Sequence, residues 1–180
     1  MKKLVLATLI SFASVGAMAS ELAISAVDAY AKTQQTERPV LLVDVRDPVE
    51  IMFVGATDAA DINIPFLLVD RNQWNAERGI FKMSRNEQFV EQVKAALKQR
   101  GLPETTEVIT MCRSGSERGE PSAKLLQEAG LSNARFVEHG FQGDAIKQGE
   151  QKGFRLKNGW QNSGLPWSKM SPEKIFKPSK

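Results

Sequence analysis

The stretch that decides the fold is Val108-Ile109-Thr110-Met111-Cys112-Arg113-Ser114-Gly115-Ser116-Glu117-Arg118-Gly119. Its first four residues form a short, continuous, largely β-branched run, as a strand covered on both faces requires. A polar, glycine-containing loop follows at once. From Pro121 to Ala129, Leu125, Leu126 and Ala129 supply the inward side of a helix that Gly130 stops. Strand, tight loop and helix form half of a crossover unit, the connection that parallel strands need.

The same alternation continues outward in both directions. Upstream, Val40-Leu41-Leu42-Val43 after Pro39 reads as a second buried strand. Asp47-Pro48-Val49-Glu50 starts a helix, with Asp as N-cap, Pro at the first helical position and Glu at the third. Ile62-Asn63-Ile64, closed by Pro65, is a further short strand, and Arg135-Phe136-Val137 is the last. Ser25 and Asp28 start an early helix whose apolar face is Val27, Tyr30 and Ala31. Ser84 and Glu87 have capping-box spacing ahead of a helix carried by Phe89, Val90, Val93 and Leu97 and ended by Gly101. Beyond Phe141, five glycines and three prolines break up the chain, and Phe154, Trp160, Leu165 and Trp167 are the expected packing anchors. The expectation is one α/β domain with a parallel sheet.

Composition removes several function classes. The 180 residues include 42% hydrophobic and 25% charged positions, an ordinary globular balance. One cysteine cannot form an internal disulfide, and the single histidine, His139, leaves too few ligands for a Cys/His zinc site. His139 itself, in the turn after the last strand, is read as structural. No metal and no cofactor is expected.

The first residues belong to a different class. Lys2 and Lys3 precede an uncharged, mainly apolar run from Leu4 to Val15, and Ala17-Met18-Ala19 offers a small-x-small cleavage pattern before Ser20. The run is short of the roughly 20 residues a bilayer span needs. Met1–Ala19 is therefore expected to be a cleaved signal peptide, with the mature protein exported to the periplasm and keeping no membrane span. The leader holds two of the 24 basic residues and none of the 21 acidic ones, so cleavage leaves 22 against 21. That balance gives no electrostatic footprint for nucleic acid. The expected layout is a leader (1–19), a domain with a Gly/Trp-rich strap (20–168) and a basic tail (169–180).

The chemistry concentrates around Cys112. A loop wrapped over a helix N-terminus aims several backbone N–H groups at one point, where the helix dipole adds positive potential. Arg113 and Arg118 add two permanent charges. Such a setting favours a thiolate nucleophile and collects anions. Nucleophile and anion cradle thus come from one contiguous stretch.

Here the sequence resembles the rhodanese-like domain family, over roughly Glu21 to Trp167. Val43-Asp44-Val45-Arg46-Asp47-Pro48-Val49-Glu50 is similar to its first signature, Ile62-Asn63-Ile64-Pro65 to the end of its second segment, and Cys112-Arg113-Ser114-Gly115 to its active-site loop. The tail, with Gly140-Phe141-Gln142-Gly143-Asp144 and Asn158-Gly159-Trp160, resembles that of small exported bacterial members. The resemblance implies a five-stranded parallel sheet with helices on both faces. It implies a sulfurtransferase in which Cys112 takes sulfane sulfur from a thiosulfate-like anion and passes it, as a persulfide, to a thiol or cyanide. A protein sulfur acceptor is a further partner it admits. In this reading the loop from Arg113 through Ser114, Gly115, Ser116 and Glu117 to Arg118 binds the donor, and Asp44 and Arg46 support the loop.

Two departures keep other readings open. Gly55-Ala56-Thr57-Asp58 stands where the family has His-Ile-Pro-Gly. Arg118 lies six residues after Cys112, one more than in the common rhodanese loop, which is the spacing of dual-specificity phosphatases and arsenate reductases. A wider cradle with a bidentate arginine suits phosphate or arsenate, and Glu117 would then be a candidate general acid. Met111 and Arg113-Ser114-Gly115 favour the sulfurtransferase. A non-enzymatic module that binds a partner or carries sulfur is the third reading.

Overall fold

The computed structural model describes residues 22–177; the expected leader and its cleavage point at Ser20 lie outside the described residues. Five parallel strands make the central sheet: β1 (Ala23–Ile24), β2 (Leu41–Asp44), β3 (Ile62–Asn63), β6 (Val108–Met111) and β7 (Arg135–Val137). Their order is β1-β7-β6-β2-β3, and all four pairings are parallel. Among the described residues four α-helices cover it: α1 (Ala26–Thr33), α2 (Pro48–Val54), α3 (Phe89–Gln99) and α4 (Gly119–Glu128). The fold is the α/β, rhodanese-like arrangement expected, with helices on both faces. β1, too short to carry a pattern, escapes sequence reading.

Strand alternation divides the core in two. Leu41, Val43 and Val108 pack with Phe89, Val93 and Leu97 of α3 and Leu126 of α4. Leu42, Ile109 and Met111 point the other way, onto Ala26 and Ala29 of α1, Ile51 of α2 and Trp160. The second helix start is as read: Asp47 accepts from the Val49 N–H at 2.9 Å, and Glu50 reaches back to the Asp47 N–H.

Three local expectations are corrected. Ser25 does cap α1, but the buried face is Ala26 and Ala29 with Tyr30 edge-on to Trp160, while Val27 and Ala31 are exposed. The helix is docked by its first turn, which rotates the inward face by one residue. Ser84 and Glu87 do not cap α3; Ser84 lies in a strand, and buried Asn86 organises the turn by accepting from the Gln88 N–H. A hairpin claims the backbone of Ser84, so the spacing had no helix to act on. Of the expected anchors, Trp160 is fully buried and donates its indole N–H to Pro166 O, but Phe154 and Trp167 are exposed.

That hairpin, β4 (Leu67–Asn75) and β5 (Ile80–Arg85), forms a separate antiparallel pair with a bulge between Asp70 and Trp74. The strap after β7 crosses the domain and continues past residue 168. Ser168 pairs with Ala56, Met170 is buried, and the Phe176 N–H donates to Asn63. Among the described residues no helix is long and apolar enough to cross a membrane.

Candidate active site

The chain leaves β2 toward β3 on one side and leaves β6 toward β7 on the other. The carboxyl ends of β2 and β6 therefore flank a topological switch point, where open α/β sheets leave a crevice. The Val45 N–H donates to Met111 O at 3.0 Å and stitches the two exits together. Cys112 follows directly, with 1% of its surface exposed. Its Sγ accepts from the Gly115 N–H at 3.2 Å, so one loop amide already points at the sulfur. Arg113, Ser116 and Glu117 are exposed, Ser114 is half-buried, and Gly115 and Arg118 are buried.

The loop is held from beneath by two charges of the first signature, Asp44 and Arg46. Both side chains are essentially buried, and their Nη2–Oδ2 contact is 2.6 Å. Arg46 also donates to Gly55 O and lies over the Phe141 ring, 4.2 Å from its centroid. The Phe141 N–H in turn donates to Cys112 O at 2.7 Å. Asp44 thus orients Arg46, Arg46 seats Phe141, and Phe141 fixes the backbone of Cys112. Beside it, Gly140 has φ +58, and a Cβ there would lie 2.3 Å from Cys112 O and 2.8 Å from Gly115 N. Gly140→Ala is expected to cost roughly 3 kcal/mol in denaturant unfolding, combining left-handed strain with a backbone clash. Gly149→Ala, where φ is +83 and no atom lies within 4 Å of the Cβ, isolates the first contribution at about 1 kcal/mol.

Arg118, expected to bind the donor, lines the cleft beside Cys112 with an ion-pair partner already in place. Its two terminal nitrogens pair with the two carboxylate oxygens of Glu50, on the first turn of α2, one at 2.9 Å. Burial pushes the Glu50 carboxyl up, but the Arg118 hydrogen bonds and charge, with Arg46 behind, outweigh it and hold the group below its ordinary value. Burial likewise opposes the charge on Arg118, and Glu50 overcomes it, so the guanidinium is raised.

Positive charge not committed in this way comes from Arg113 and from Arg155, a residue without any sequence signal. Burial, then repulsion from Arg113, lowers the Arg155 guanidinium. Both line a cleft of about 480 Å³ over Cys112. The far wall is the hairpin, contributing Val69, Trp74, Ile80, Phe81 and Met83. Arg78 at the hairpin tip pairs with Glu117 at 2.8 Å, and the Val69 N–H reaches Asp47. Sequence reading missed this wall, although Asn75 and Gly79 between apolar runs are a hairpin signal. His139, at φ +61, contacts Asp144 through Nδ1 at 2.8 Å in the turn beside the loop.

The family model described as Rhodanese-like domain matches residues 26–147. Among solved structures, a rhodanese-related protein from Thermoplasma volcanium is 21% identical, with a TM-score of 0.45, over 81% of this chain and 96% of that one. An uncharacterized protein from Saccharomyces cerevisiae is 24% identical, with a TM-score of 0.42, over 66% and 85% of the two chains. No curated protein is matched. The family match runs from α1 through the cysteine loop to the start of the strap, taking in β2, β6 and both halves of the crevice; the chain belongs to the rhodanese-like domain family.

Proposed function

We propose that the protein is a sulfurtransferase in which Cys112 carries sulfane sulfur from a small anionic donor to a thiophilic acceptor. The Cys112 thiolate attacks the outer sulfur of a thiosulfate-like donor, the donor's S–S bond breaks, and sulfite leaves with the bonding pair. The persulfide that remains extends from Sγ into the cleft. Cyanide or a thiol then removes the outer sulfur and restores the thiolate, a two-step covalent cycle. The Gly115 N–H, already on Sγ, stabilises negative charge on the sulfur. Arg113 and Arg155 attract the donor, Ser114 and Glu117 border its path, and Ser116 lies outside the cleft lining.

The observation that carries this reading over oxyanion chemistry is the Glu50–Arg118 pair. Phosphoryl or arsenate chemistry on a Cys-x5-Arg loop needs the arginine fork for two substrate oxygens. Here both terminal nitrogens and the charge are committed to Glu50. A persulfide needs only N–H donors and a route for the donor. Glu117, the candidate general acid of the alternative, is paired with Arg78 at the mouth. An intact nucleophile in a built cleft also argues against a purely structural module.

Paired assays test it. The wild-type protein is expected to form thiocyanate from thiosulfate and cyanide and to leave an aryl phosphate unhydrolysed. Aryl phosphate turnover without thiocyanate would replace this reading by the phosphatase one. We further propose export and a periplasmic site of action, on the basis of the Met1–Ser20 pattern.

A further inference from the structure

The cleft is built for more than thiosulfate. That dianion is compact and polar over its whole surface, so it wants N–H donors and cations everywhere. The Cys112 loop with Arg113 and Arg155 supplies those on one side only. Opposite them stands an apolar wall from the β4–β5 hairpin. Trp74 and Phe81 pack edge-to-face with ring centroids 5.2 Å apart, yet remain 56% and 40% exposed. Neither ring completes a core cluster. Apolar rings left open beside a nucleophile gain free energy when a ligand covers them.

The wall also contacts the cysteine loop and the start of α2. Arg78–Glu117 ties the hairpin tip to the loop, and Val69 N–H to Asp47 ties its base to α2. The cleft thus joins cations and a loop N–H at Cys112 to an open apolar surface.

We propose that the hairpin determines donor specificity, with Trp74 and Phe81 selecting organic thiosulfonates, sulfane-sulfur anions that carry an apolar substituent, over inorganic thiosulfate. The inference rests on the sulfurtransferase reading above. The chemistry balances without another reactant. Cys112–S⁻ attacks the terminal sulfur of R–SO₂–S⁻, the S–S bond breaks, and the sulfinate R–SO₂⁻ departs with the bonding electrons. Cyanide then takes the outer sulfur of Cys112–S–S⁻ as thiocyanate and returns the thiolate.

The experiment measures kcat/KM for benzenethiosulfonate, methanethiosulfonate and thiosulfate, with cyanide as acceptor. The phenyl-to-methyl ratio is taken for wild type, Trp74→Phe, and the double variant Trp74→Ala/Phe81→Ala. Comparing ratios between proteins cancels both the intrinsic difference in leaving groups and any loss of folded fraction. Wild type is expected to exceed the double variant in this ratio by about tenfold or more, the usual yield of an apolar subsite. Trp74→Phe, which keeps a ring in place, is expected to retain most of it. Equal ratios in wild type and double variant would overturn the specificity wall while thiosulfate turnover left the sulfurtransferase reading standing. A wild type that turns over none of the three donors would overturn both.

Discussion

Cys112→Ser is expected to abolish sulfur transfer, with a fall in rate of roughly 10³-fold or more, because no other group can carry the covalent intermediate. Cys112 is the chain's only cysteine, so no second thiol can substitute. The fold should be untouched: Ser is nearly isosteric, and the Gly115 N–H that now donates to Sγ can donate to Oγ. Two measurements separate the possibilities. Thiosulfate treatment should raise the intact mass of the wild type by about 32 Da, one sulfur atom, through thiolate attack on the donor. The serine variant should show no such adduct and an unchanged denaturant midpoint. Sulfur transfer that persisted in the variant would assign the chemistry to another residue, and with it the meaning of the whole cleft.

Asp44→Ala is expected to produce the largest loss of stability. Arg46 would keep its buried position with no carboxylate, and breaking a buried pair from one side costs roughly 3–5 kcal/mol. For a domain of this size that corresponds to a fall in Tm of roughly 10 °C. The damage should reach the loop through Arg46 and Phe141, since Phe141 holds Cys112 O. Asp44→Asn, which keeps shape and hydrogen-bonding capacity but not charge, should fall between the two. A thermal melt of Asp44→Ala within a few degrees of wild type would show that the loop does not depend on this pair.

These two residues differ in how they could be recognised. Cys112 was legible because strand, nucleophile, glycines and arginines lie in one contiguous run, and a strand followed by a helix imposes the loop's geometry locally. The Asp47 capping box was legible for the same reason: donor and acceptor are three residues apart. Asp44 and Arg46 were recognised by resemblance, but the relay through Phe141 was not visible, since it joins β2 to the strap only after folding.

The amino-acid sequence by itself determined the α/β class, four of the five sheet strands, the helix start at Asp47 and the position of Cys112 in a loop between strand and helix. Only the tertiary structure decided that Arg118 is committed to Glu50, 68 residues away in the chain, that Arg155 stands beside Arg113, and that a hairpin walls the cleft. The bulge between Asp70 and Trp74 breaks the two-residue alternation that would have announced that hairpin. Local patterns record what a segment does with its own backbone. The charge balance of a site depends on which distant side chains the sheet order brings to the same strand ends, and no spacing along the chain encodes that distance.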